Sequence, residues 1–162
     1  MEAKHLMQVV SWAEFFEPKH VFDYGCGTGE YVHIWRDLGV VAFGFDISKH
    51  AVSNSYGGYC FNEFPAESVR FDLVSCYDVL EHLTEEEVDQ ALANINQHAS
   101  KWILFSICMA GDPNFALDKT HVLQRSRSWW KEKLSKYWDV FDAPENFSYS
   151  HQLLVCKVRG TK

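Results

Sequence analysis

The sequence predicts an α/β fold, a mostly parallel sheet covered by helices on both faces. Three observations predict it. Short, nearly continuous apolar strands alternate with helical segments along most of the chain. One of these strands, at 21–24, runs through a glycine-rich turn straight into a helix. Near the end two strands follow each other with no helix between them; they should pair antiparallel, because a parallel pair needs a crossover.

The elements follow in order. Residues 3–16 read as a helix, since Leu6, Val9, Val10, Ala13 and Phe16 recur at helical spacing and Pro18 stops the run. VFDY at 21–24 is a buried strand bounded by GCGTG. From Glu30 to Leu38 the period is helical again, with Gly39 as the stop. VVAFGFD at 40–46 is a second strand, and Ser48 caps a short helix to about Asn54. After the Gly57-Gly58 turn, 59–61 is a brief third strand and 71–77 a fourth. Thr84 with Glu87 forms a capping box that opens a helix through Val88, Leu92 and Ile95. The fifth strand is 102–108, and 109–125 shows no period and reads as a long loop. A helix at 127–136 and strands at 138–142 and 149–158 complete the chain.

Composition narrows the function classes. A chain of 162 residues is one domain's worth, and 47% hydrophobic content fills its core. The net charge of −7 gives no general reason to hold a polyanion, so nucleic acid is expected to be an unlikely partner. The five cysteines, at 26, 60, 76, 108 and 156, include no CxxC pair. Reduced thiols in a cytoplasmic setting are expected, without a thiolate zinc site. The N-terminus lacks the basic-then-apolar pattern of a signal peptide. No run approaches the roughly 18 apolar residues of a membrane span, so no membrane role is expected.

Gly25, Gly27 and Gly29 give a G-x-G-x-G spacing between strand and helix. Such glycines let the backbone turn sharply and let a ligand approach its amides. The dinucleotide fingerprint would need its third glycine where Glu30 stands, and a carboxylate there repels a pyrophosphate. The loop therefore suits a nucleoside without phosphates, and Asp46 at the second strand's end can accept ribose hydroxyls. The bland alternative is a connecting turn with Asp46 as a helix cap.

VFDYGCGTGEYV at 21–32, GFDIS at 44–48 and FDLVSCYDVLEHL at 71–83 together resemble the class I S-adenosylmethionine-dependent methyltransferases, especially their small Rossmann-like members. The resemblance fades past the fifth strand and returns weakly at DKTHVLQRSRSWW, 118–130. It implies a doubly wound seven-stranded sheet of order 3-2-1-4-5-7-6, the last-placed strand antiparallel. It implies one methyltransferase-like domain over 1–162, with a lid helix at 1–17 and a substrate-facing loop at 109–125. The cofactor would be S-adenosyl-L-methionine. Asp23 and the backbone of Gly25, Cys26, Gly27 and Gly29 would surround its methionine part, Asp46 its ribose, and Ile47, Phe61 and Asn62 its adenine. Tyr77 and Asp78 would face the methionine end. The segment between Asp46 and Phe71 is shorter than the family's, and the usual double-glycine turn before the fifth strand is replaced by INQHASKW.

Methyl transfer from a sulfonium is an in-line displacement whose leaving group needs no protonation. The protein aligns the reactants and can remove a proton from the acceptor. The expected catalytic residues are His121, Asp78 and His82, with Glu81 beside them. His121 could equally anchor its loop, and Glu81 with His82 could anchor the turn after the fourth strand. A metal would need Glu81, His82 and His121 to converge, which spacing does not show, so none is expected. Cys76-Tyr77-Asp78-Val79 stands where base-modifying amino-methyltransferases carry Asn-Pro-Pro-Tyr. The expected reaction is methyl transfer to oxygen or nitrogen of a small molecule, or of a group a partner presents. The rival is a catalytically inactive relative serving as a binding or regulatory subunit. A protein partner or homodimer is compatible with either.

Overall fold

Seven strands pair into one sheet in the order β3-β2-β1-β4-β5-β7-β6. In this computed structural model, which describes residues 3–161, the elements are α1 (Ala3–Phe16), β1 (His20–Tyr24), α2 (Glu30–Asp37), β2 (Val41–Phe45), α3 (Lys49–Ser53), β3 (Cys60–Phe61), β4 (Phe71–Tyr77), α4 (Glu85–His98), β5 (Ala99–Ser106), α5 (Arg127–Leu134), β6 (Asp139–Asp142) and β7 (Leu153–Lys157). Met1, Glu2 and Lys162, which the expected lid and domain spans include, lie outside the described residues. β1 to β5 run parallel, while β7 is antiparallel to both β5 and β6. The sheet order and the antiparallel β7 agree with the sequence reading.

The sheet is buried on both faces because successive side chains alternate. Val21 and Leu73 point to one layer with Val9, Trp12, Trp35 and Leu153, under α1 and α2. Phe22 and Val74 point to the other, with Leu92, Ile95, Ile103 and Trp130 from α4, β5 and α5. Thr84 caps α4 as expected: its hydroxyl accepts from the Glu87 amide and the Glu87 carboxylate accepts from the Thr84 amide. Two boundaries differ from expectation by three residues or more. β5 starts at Ala99, where a bulge opposite Phe71 and Leu73 lets pairing continue. β7 starts at Leu153, because 149–152 form a turn in which Tyr149 has φ 59°. The 109–125 loop contains a 3-10 turn, Pro113–Ala116. Among the described residues no helix is long and apolar enough to cross a membrane.

Parallel strands place their C-terminal ends, and the loops leaving them, along one edge. The turns after β1, β2, β4 and β5 therefore meet there, and the candidate residues lie on these turns.

Candidate functional site

The first cleft at this edge has a volume of about 510 Å³. Tyr24, Gly25, Phe45, Asp46, Ile47 and Phe64 form one side of it, and Asp78, Val79 and Leu83 face them. Gly25 has φ 80°, and a Cβ there would lie 2.3 Å from Val79 Cγ2. Both constraints forbid a side chain. Gly25→Ala is expected to destabilise the protein by about 2 kcal/mol or more, measured by urea unfolding; an unchanged midpoint would contradict this packing.

Asp46 is held by two amides, with Oδ2 accepting from Gly27 and Oδ1 from Ser48, both at 2.8 Å. Beneath the loop, Asp23 is 2% exposed and accepts a 2.6 Å hydrogen bond from Ser75 Oγ. Burial pushes its carboxyl up to about 6, with the Asp46 charge adding to the rise. The cleft is lined by carboxylates and rings, with no lysine or arginine among its described lining residues. That donor set fits a nucleoside carrying positive charge and does not fit a phosphate. Ile47, 88% exposed, offers the uncovered apolar shelf beside Asp46 that an adenine would cover.

Two adenine-side residues lie elsewhere than expected. Phe61 lines a neighbouring apolar cavity with Phe43, and Asn62 turns its amide back to donate to the Asp46 carbonyl at 2.8 Å. A ring that does line the cleft is Phe64, stacked on Phe45 with centroids 4.0 Å apart. Phe64 sits in an aperiodic stretch, so no pattern in the sequence marks it.

The second cleft, of about 450 Å³, is lined by Lys4, Tyr77, Asp78, Glu81, His82 and His121, with Tyr149 and Gln152 at its far wall. Asp78 and His82 line both clefts. Asp78 has φ 54°, and its carboxylate accepts from Ser106 Oγ; burial raises its pKa, and the Ser106 bond opposes the rise. Tyr77 is fixed from α1, where Gln8 Nε2 donates to its hydroxyl at 3.0 Å. Gln8 in turn accepts from Tyr31, so α1 is tied to the cleft by polar as well as ring contacts.

Glu81, His82 and His121 converge: one donor atom from each lies within 4.8 Å of the others. Their surroundings fix their chemistry. Glu81 is fully buried, and one carboxylate oxygen accepts from the Cys108 amide at 2.7 Å. Its other oxygen, Oε2, has no hydrogen-bond partner among the described residues. An orphaned buried carboxylate oxygen is costly unless a cation or proton meets it. His121 Nδ1 lies 3.2 Å from the Phe115 carbonyl, which only accepts, so Nδ1 carries the proton. Thr120 Oγ1 donates to Asp118 at 2.6 Å and lies 2.9 Å from His82 Nδ1, which must then donate to it. In its neutral form each imidazole then carries the lone pair on Nε2, and His121 Nε2 lies 3.9 Å from Asp118 Oδ2. Carbonyl and hydroxyl partners that set the tautomer in this way are the usual outer support of metal-binding histidines. The sequence reading named all three residues but expected no metal, because the folding of the 109–125 loop back over the turn after β4 has no local signature.

A family model described as "Methyltransferase domain" matches residues 3–147. A small RNA 2'-O-methyltransferase of Xenopus tropicalis is 29% identical over 106 residues; the match covers 50% of this chain and 28% of that protein. This chain thus spans under a third of the curated relative's length. Among solved structures, the magnesium protoporphyrin IX methyltransferase of Synechocystis, with bound S-adenosylmethionine, superposes with a TM-score of 0.67 at 18% identity, covering 96% of this chain and 80% of that one. The methyltransferase domain of the bacterial protein CtHen1 does so at 0.67 and 16%, covering 96% and 97%. The RNA-directed relative corrects the expectation that nucleic acid is an unlikely partner. Net charge is summed over the whole molecule, whereas an acceptor that enters as one nucleotide meets only the lining of one cleft.

Proposed function

Because the chain belongs to the methyltransferase-domain family, in its class I S-adenosylmethionine-dependent form, we propose that it methylates a ribose hydroxyl held by a divalent cation at Glu81, His82 and His121. The observation that carries this reading is the convergence of Glu81, whose Oε2 has no partner among the described residues, with the imidazoles of His82 and His121. One carboxylate and two neutral histidines suit a borderline divalent ion such as Mn²⁺ or Zn²⁺. Such an ion would polarise an acceptor hydroxyl and lower its pKa.

The chain's own residues supply the rest. Asp46 takes the ribose of the cofactor, Ile47 and Phe64 its adenine, and Asp23 with the glycine loop its methionine end. These assignments follow the cleft lining and the fixed amides of the loop. Asp46→Ala is expected to weaken cofactor affinity by about 10- to 100-fold, since charge-assisted hydrogen bonds are lost; calorimetry showing less than about twofold would remove Asp46 from the site. Asp78, facing both clefts, is placed to take the hydroxyl proton as the methyl moves in line. His82 and His121, expected as bases, then act as ligands instead. The RNA relative and the one-nucleoside size of the second cleft support a terminal ribose, whose vicinal hydroxyls can chelate a cation.

The test is methyl incorporation from labelled cofactor into short RNA ending in a ribonucleotide or in its 2'-deoxy counterpart, with Mn²⁺ or with chelator. Transfer only to the ribonucleotide end and only with metal is the expected result. Equal transfer in chelator, or onto the deoxy end, would overturn it.

A further inference from the structure

Two glycines, one closing the cofactor loop and one on β2, leave room for sulfur. A Cβ on Gly44 would lie 2.5 Å from Cys26 Sγ, and one on Gly29 would lie 2.4 Å from Cys60 Sγ. Gly44 is also the register partner of Cys60 across β2 and β3. Both thiols thus sit in one seam, between the glycine loop and the edge strand, each close enough to shift the other's titration. The remaining cysteines lie apart: Cys76 and Cys156 belong to the core of the opposite sheet face, and Cys108 lines the second cleft.

We propose that Cys26 and Cys60 form a redox pair, and that their oxidation to a disulfide by hydrogen peroxide weakens cofactor binding. The chemistry is balanced. The Cys60 thiolate attacks a peroxide oxygen, giving a sulfenic acid and one water. The Cys26 sulfur then displaces the sulfenic oxygen as a second water, and the S–S bond forms. Two thiol hydrogens and two electrons pass to the peroxide. Cys60 suits the first step because its neighbours Cys26 and Ser55 lower its pKa against the effect of burial. The thiols are 9% and 5% exposed, which admits a small peroxide more readily than a bulky disulfide reagent.

The consequence follows from tight packing. A disulfide brings two sulfurs to about 2 Å, and neither can move far, because Gly44 crowds the Cys26 sulfur and Gly29 the Cys60 sulfur. The backbone at 26 must shift. Gly25 and Cys26 both donate to the Phe45 carbonyl, and Gly27 donates to Asp46, so the shift passes directly to the ribose-binding carboxylate. Bound cofactor holds that loop in place and should slow the oxidation.

The inference rests on the cofactor site but not on the metal or the acceptor. Wild-type protein treated with hydrogen peroxide should yield a Cys26–Cys60 cross-linked peptide, lighter than the two thiol peptides by two hydrogens. Its affinity for S-adenosylhomocysteine should fall about tenfold and recover with dithiothreitol. Cys60→Ser, checked beside Cys60→Ala, should bind as the reduced wild type does and be unaffected by peroxide. Absence of the cross-linked peptide, or equal loss of affinity in both Cys60 variants, would overturn the proposal. No binding by the reduced wild type would instead refute the cofactor site itself, so the two failures are distinguishable.

Discussion

Glu81→Gln is expected to lower divalent-cation affinity by more than about 100-fold, since even outer partners of a metal site are worth 10- to 100-fold. Methyl transfer should fall with it. Cofactor affinity should stay within about twofold, because Glu81 lines the second cleft and not the first. That split is the informative part. The amide keeps an oxygen to accept from the Cys108 amide, so the local fold is retained while the charge facing the two imidazoles is removed. Titration calorimetry with Mn²⁺ and with S-adenosylhomocysteine separates the two affinities. Unchanged cation binding would sink the metal centre; equal loss of both affinities would mean that Glu81 only supports the turn after β4.

Asp23→Asn should stabilise the cofactor-free protein and weaken cofactor binding at once. The folded carboxyl titrates near 6 against an ordinary 3.8, because it is buried and close to Asp46. Between those values the folded state holds a proton that the unfolded chain releases. Stability therefore falls as pH rises from about 4 to 6, by at most about 3 kcal/mol, and the deficit persists at neutral pH. An amide removes the titration and still accepts from Ser75 Oγ. The variant should be more stable at pH 7 by about 1 to 3 kcal/mol, with a flatter pH profile in urea unfolding. Its affinity for S-adenosylmethionine should fall by about tenfold or more, since a buried negative charge opposite a cation is lost. A variant that is less stable at pH 7 would contradict the burial argument.

Much of this was legible in the chain itself. α1 and β4 have the limits their periodicity indicates, and the Thr84–Glu87 box marks α4, because these signals are local. The glycine loop and Asp46 were readable for the same reason: strand, turn and helix lie in one stretch. What failed needed distant partners. β5 gains Ala99 only through pairing with Phe71, and β7 loses 149–152 to a turn built on a non-glycine residue with positive φ. The meeting of His82 with His121 depends on a loop anchored by the Val122 and Leu123 amides on the Glu81 carbonyl, at 2.9 and 3.0 Å. No periodicity encodes that return. Phe64 replaces Phe61 in the cleft for a similar reason, since the stretch that follows β3 is irregular.

Asp78 stands in the wall shared by the two clefts. Before transfer, the donor compartment holds a sulfonium; afterwards it holds a neutral thioether, so the carboxylate loses a counter-charge on one side only. Any effect of that loss on acceptor affinity must be matched by an equal effect of acceptor on donor, by linkage. A single side chain can thus report completion of the reaction from one compartment to the other, with no domain movement. Within this one sheet edge, turnover and product departure would be timed by electrostatics rather than by hinges.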